Sequence, residues 1–431
     1  MRKNIIILFA LCLSLSVAAQ TYSTHIFHPQ VRTLRVQTVE SWERKQAGAH
    51  VAPMRPILVY NGQAIDGSEP DNTLEISFDE LSHEPHFYSY TLLHLNHNNQ
   101  PSALMSNEYV SGFTTADITD AEHSLNTSQL YTHYRFTFPN EDMQLTRSGN
   151  YALIIYEDGD KDKIIATVLV EVVEPLVNIT GQVRSNTDIE LSGRYQQLDF
   201  DINTSAINLK DPGEIQVVIQ QNGRLDNQKT GIRPTFVESK RLRYMNNKQL
   251  IFEGGNEYRH FDIFSTFYAG SGVDRILHDR NDYHALLLPG DILAGRQYIH
   301  EFDTNGQMVV NAERTDNDDT EAEYMWVHWI LPMKSPMLDG NLYVGGDLFE
   351  NRLTNDNRMN YDADNHCYWL TSLVKQGGAD YQYWFVEKGQ KEATLQRTEG
   401  SFWQAQNEYR IFVYWRAFGD RADRLIGIGT L

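Results

Sequence analysis

Short segments rich in valine, isoleucine, tyrosine, phenylalanine and tryptophan recur along the chain, each closed by glycine, asparagine, aspartate or proline. In the first part these are Leu74–Phe78, Tyr88–Leu95, Tyr131–Phe138, Tyr151–Tyr156 and Ile164–Val173. Gln197–Ile202, Ile215–Gln221, Gln249–Phe252 and Phe261–Ala269 follow, then Tyr324–Leu331, Tyr409–Phe418 and Leu425–Ile428. β-Branched and aromatic side chains suit a pleated, half-buried surface, so these segments predict strands. Tyr156-Glu-Asp-Gly-Asp-Lys161 predicts the hairpin turn between two of them. Helical periodicity is nearly absent. Short strands at regular spacing predict an all-β chain of tandem immunoglobulin-like and early-set-like β-sandwich domains with little helix.

A length of 431 residues implies two or three domains. Pro175 closes the first block, giving an N-terminal β-sandwich over residues 20–175. A middle β domain is expected over 176–320, and an early-set-like C-terminal sandwich over 321–431. The run Asp316-Asn-Asp-Asp-Thr-Glu-Ala-Glu323 reads as a solvated loop near the second boundary.

Residues 1–19 have the form of a removable secretory signal: Arg2 and Lys3, an apolar run from Ile5 to Leu15, then small residues ending at Ala19. Nothing after Gln20 approaches the roughly 20 apolar residues that a membrane span needs. Ile164–Val173 comes nearest, but Thr167 and Glu171 interrupt it. The formal charge of −20 drops by two to −22 when Arg2 and Lys3 leave with the signal. So acidic a chain has no long-range attraction for nucleic acid or anionic lipid. Cys12 leaves as well, so Cys367 is the one thiol of the exported chain and neither a disulfide nor a cysteine metal framework is expected.

No phosphate loop, nucleophile elbow or His-Glu-x-x-His helix is present. The acidic clusters Asp158–Asp162, Asp316–Glu323 and Asp362–Asp364 lack the ligand spacing of a calcium loop and read as turns. His94 and His97 fall on opposite faces of a strand, which argues against a shared metal. Catalytic, cofactor and metal residues are therefore expected to be absent, and no binding residue stands out. The stretch from Asn341 to Gly389 strings together Tyr343, Phe349, Tyr361, Tyr368, Trp369, Tyr381, Tyr383 and Trp384. Alternation over Tyr381–Val386 puts aromatic rings on both faces, so that strand lies between two layers or presents one face to a partner. Core packing, a protein-binding surface and sugar stacking are the three readings of these rings.

Three stretches carry a family likeness: "YTHYRFTFPNEDMQLTRSGNYALIIYEDGD" (Tyr131–Asp160), with "YSYTLLHLNHNNQPSALMSNEYVSGF" upstream of it, "LIFEGGNEYRHFDIFS" (Leu250–Ser265), and Asn341–Gly389. Together they resemble the plug protein family of the Bacteroidetes type IX secretion system. The departures at His94–Asn99 and Gly345–Asp347 bear only on fine contacts. The resemblance implies a periplasmic, non-enzymatic, all-β protein that closes the periplasmic mouth of the outer-membrane translocon barrel, SprA. It carries no functional residue over to this chain. Glu253-Gly-Gly-Asn-Glu257 with Arg259, and the Pro139–Asp142 turn, read as fold-maintaining features, with direct contact to the barrel as the alternative for both. An exported glycan-binding sandwich protein is the alternative function, and a hydrolase with an unrecognised site is a third.

Overall fold

The computed structural model describes residues 20–46, 55–189 and 191–431; the expected signal at 1–19 lies outside them. The described chain is overwhelmingly β, arranged as sheets packed face to face. In the first sandwich His25–Ile26, Ile164–Val173, Gly149–Glu157, Tyr88–Leu95 and Thr115–Ile118 lie side by side. They face a sheet of Val31–Thr38, Leu74–Glu80, Thr132–Phe138 and Asp120–His123. Alternate residues of both sheets, among them Ile76, Phe78, Tyr88, Leu153 and Val168, form one core. Phe78 stacks on Tyr134 with ring centroids 5.2 Å apart. The expected hairpin joins Gly149–Glu157 to Ile164–Val173 as an antiparallel pair.

The remaining sheets do not follow the contiguous blocks expected over 176–320 and 321–431. Ile215–Gln221 pairs antiparallel with Tyr409–Trp415, Ile219 standing opposite Ile411 and Val217 opposite Val413. Arg424–Thr430 extends the same sheet. This sheet faces Asn178–Arg184, Tyr195–Asn203, Arg241–Tyr244 and Phe236–Glu238 over a core containing Leu198, Phe200, Ile202, Ile411 and Val413. The closing hairpin therefore completes the middle sandwich, because the apolar face it must bury has its complement there and not on the preceding strands.

Between those two parts of the middle sandwich the chain builds a third. Val273–Asp279, Asp282–Leu287, Tyr324–Pro332, Cys367–Lys375 and Asn360–Asp362 form one sheet. Gly377–Glu387, flanked by Arg259–Asp262, Met308–Val310 and Gly340–Gly345, faces it. Trp329, Leu342, Tyr381, Tyr383 and Phe385 lie in the core between them. Every residue of Gly377–Val386 is buried, with Trp384 and Val386 turned into a separate cluster with Ala393 and Leu395. The two-faced aromatic strand thus lies between two layers.

Asp316–Glu323 is not a solvated loop. It includes a short helix, Asp318–Glu321, and it buries Asp319, Thr320 and Glu323 against the first sandwich. The partners that make burial tolerable lie almost 300 residues upstream, beyond the reach of local charge patterning.

Candidate functional site

The chain passes from the second sandwich to the third at Glu253–Tyr258 and returns at Glu399–Glu408, so two connectors run side by side. The Glu253-Gly-Gly-Asn-Glu257 motif holds them together. Glu253 accepts hydrogen bonds from the Thr394 hydroxyl (2.8 Å), Leu395 N–H (3.0 Å) and the Gln396 amide (2.8 Å). Asn256 donates to the Glu399 carbonyl at 3.0 Å, and Phe402 N–H donates to the Gly255 carbonyl at 2.8 Å. Arg259 forks onto the fully buried Glu399 carboxylate, with its closest contact at 2.8 Å. That contact raises the guanidinium's proton affinity despite its burial. Gly254 is needed for space: a Cβ there would lie 2.1 Å from the Phe402 carbonyl oxygen. Deeper in the same junction Arg224 pairs with Asp226 at 2.7 Å, donates to the Ala393 carbonyl, and lies 4.5 Å from the Trp384 ring centroid.

The first and third sandwiches meet over buried charge. Lys375 Nζ donates to Asp79 at 2.6 Å and to the Asp319 carbonyl at 2.7 Å, with both side chains buried. Asp79 also receives His133 at 2.6 Å and the Tyr324 hydroxyl at 2.7 Å. Burial opposes ionisation of Asp79, yet Lys375 and the His133 hydrogen bond outweigh it and hold the carboxyl below its usual range. Burial pulls Lys375 below its ordinary value while Asp79 works against that fall. Arg35 and the Trp42 indole hold Asp319, which is likewise kept well below the carboxylate range against its burial. Glu323 receives two backbone N–H groups of the first sandwich, at Ser128 and Gln129.

The first and second sandwiches are joined at Val173–Val177. Glu174 N–H donates to Leu425 and Leu176 N–H to Ile426, while the Glu174 carboxylate pairs with Arg424. Asp423 accepts His97 at 2.7 Å and Arg416 at 2.8 Å; these contacts overcome burial and bring its pKa to about 2. Val173, Phe412, Tyr414 and Leu425 form a small apolar cluster beside them. One side chain bridges all three sandwiches: Arg55, entering the first, donates to the Asn222 carbonyl of the second (3.1 Å) and to Asp347 of the third (2.7 Å).

Where the three junctions converge there is a cavity of about 870 Å³. Leu34, Val170 and Glu171 line it from the first sandwich, Gln220 and Leu225 from the second, and Phe264 and Met308 from the third.

The residues marked out in the sequence are scattered. Of the nine phenylalanine, tyrosine and tryptophan rings in 341–389, Trp369 alone is exposed, at 43 %. His94 is buried and donates to the Ser148 carbonyl at 3.3 Å, with burial lowering its pKa to about 4, while His97 reaches Asp423. Cys367 is partly buried at the start of an inner strand of the third sandwich's sheet, between Pro332 and Asp362. The Pro139–Asp142 turn is held by the Asn140 side chain, which accepts Met143 N–H at 2.9 Å and donates to the Tyr90 hydroxyl at 2.9 Å. No cluster of three metal-ligating side chains exists among the described residues. No described helix is long and apolar enough to cross a membrane. Of the junction residues, Asp319 reads in the sequence as part of a solvated loop, and Asp79 and Lys375 do not stand out. A lysine inside an otherwise apolar strand end, Leu373-Val-Lys375, is the one trace they leave there.

A family model described as "Type 9 secretion system plug protein 1st domain" matches residues 62–174, which lie within the first sandwich. A solved structure of a hypothetical protein from Parabacteroides merdae is 33 % identical, with a TM-score of 0.88 over 96 % of this chain and 99 % of that one. No curated protein matches the chain.

Proposed function

The chain belongs to the type IX secretion plug family, and from that premise we propose that it is a periplasmic plug that seats in the periplasmic opening of the SprA translocon barrel and closes it without chemistry. The rigidity of its build carries this reading. A stopper works by keeping its shape, and three sandwiches fastened by the buried Lys375–Asp79 pair, the partly buried Arg424–Glu174 pair and hydrogen-bonded connectors resist mutual rotation. Exposed apolar side chains gather where the second and third sandwiches abut, on loops that touch one another. Leu191, Ile299, Phe302 and Trp403 lie there, and Phe302 is 93 % exposed. A surface of this kind suits a protein partner. Within Asn341–Gly389, the stretch that suggested a glycan site, Trp369 is the one exposed aromatic ring.

The test is affinity capture of the tagged protein from mildly solubilised outer membranes of its own organism, followed by mass spectrometry. Recovery of SprA supports the plug. Its absence across several mild detergents, with the bait folded, overturns it. Leu191→Asp/Phe302→Asp is expected to reduce SprA recovery by about tenfold, a loss of about 1.4 kcal/mol, while leaving the melting temperature unchanged.

A further inference from the structure

The cavity where the three sandwiches converge has no role in stopping a pore by shape. Its volume, about 870 Å³, is that of a small-molecule site. Its walls are mostly apolar, with Leu34, Val36, Leu225, Phe264 and Met308 contributing from all three sandwiches.

The charged groups on the walls are nearly all satisfied. Arg35 is held by Asp319, Lys45 by Asp318, and Arg55 by Asp347. His25 engages Glu350. Asp316 stands exposed at the rim. Glu171 is different. It sits on the outward face of Ile164–Val173, opposite Asn150 of the neighbouring strand, deep in the cavity wall beside Leu169. It is deeply set but partly exposed, and its carboxylate accepts no hydrogen bond from any side chain among the described residues and forms no ion pair with them; Arg410 and Arg55, held by Glu408 and Asp347, act on it only at longer range. A carboxylate set this deep with no hydrogen-bonded counter-ion is costly to keep charged, so its place on the wall of a ligand-sized space marks it as one half of an interaction.

We propose that this cavity binds a small amine with an apolar body, its ammonium group paired with the Glu171 carboxylate and its hydrocarbon lying against Leu225, Phe264 and Met308. The chemistry selects this class. The cations already in the wall are spoken for, so an anionic ligand has nothing to meet, while a neutral one would leave Glu171 unpaired. An ammonium group supplies both a charge and up to three donors. Burial raises Glu171 to about 7, so the carboxylate must ionise as the amine enters. Binding therefore strengthens as pH rises through that value. A molecule held there touches all three sandwiches at once and would stiffen their union.

The experiment uses the signal-free chain with n-octylamine, n-octanol and n-octanoate as probes, followed by titration calorimetry at pH 8 and pH 6. Saturable octylamine binding at pH 8 is expected, at least about tenfold tighter than that of octanol or octanoate, and weaker at pH 6. Glu171→Gln should abolish the preference for the amine while leaving the weak octanol binding unchanged. Leu225→Trp, which fills the cavity without touching the carboxylate, should remove binding of every probe. Equal affinity for octylamine and octanol, an unaltered preference in Glu171→Gln, or no saturable binding by the folded wild-type chain would each overturn the proposal.

Discussion

At the scale of single residues, the Lys375–Asp79 pair shows how little room the first and third sandwiches have to part. Removing one partner strands the other charge in a site with no access to water. Lys375→Met is therefore expected to cost about 3–5 kcal/mol in urea denaturation, and Asp79→Asn in the same chain to recover part of that loss. Proton linkage at Asp79, Asp319 and Asp423 has one sign. Their folded pKa values lie below the ordinary 3.8, so their stabilisation is present above that pH and is lost as pH falls toward the folded values. Glu171 has the opposite sign. Its folded value of about 7 lies above the ordinary 4.5, so stability is complete below 4.5 and declines as pH rises through 7. Glu171→Gln should match the wild type at pH 4.5 and exceed it by about 1–3 kcal/mol at pH 8 in chemical denaturation. Glu171 was legible as a charge interrupting an apolar strand. Asp319 was not, because local charge density says "solvated" and its cation, Arg35, is 284 residues away.

At the scale of elements, alternation places most strands closely, but of the expected Phe261–Ala269 only Phe261 and Asp262 lie in a strand, Arg259–Asp262. Tyr88–Leu95, Ile164–Val173 and Ile215–Gln221 match to the residue. Alternation reports which face of a strand is buried, and says nothing of which strand lies beside it. That is why the pairing of Ile215–Gln221 with Tyr409–Trp415 escaped notice, and with it the correct grouping of sheets. The paired glycines of the 253–257 motif were legible as a point of close backbone approach, and the structure shows what approaches. Gly254→Ala drives a methyl into the Phe402 carbonyl and should lower stability by about 2–4 kcal/mol. Gly231→Ala is a useful contrast, with open space around it and a φ of +69° as its sole difficulty. Its cost should be about 1 kcal/mol. Comparable losses in the two variants would mean that the connectors can separate freely.

At the scale of the whole molecule, we group the chain as 20–174, then 176–253 together with 401–431, with 254–400 inserted between those two parts. A chain ending at Gly400 tests this grouping. It deprives the middle sandwich of two of the three strands of one sheet and uncovers Leu198, Phe200 and Ile202. Amide exchange should then show lost protection across Tyr195–Asn203 and Ile215–Gln221, while the Tyr324–Pro332 and Cys367–Lys375 pair stays protected. Protection retained at Ile215–Gln221 would refute the grouping.

The insertion also sets an order of events. As the chain emerges from its N-terminus onward, the strand Ile215–Gln221 arrives long before Tyr409, and a complete sandwich must form in the interval. Its hydrophobic edge stands open throughout, a template for pairing with the wrong neighbour. The last hairpin to arrive is thus the one that makes the molecule safe to its surroundings. A holding chaperone for this protein would have to wait for that hairpin, and until then the unfinished middle sandwich is the surface it should grip.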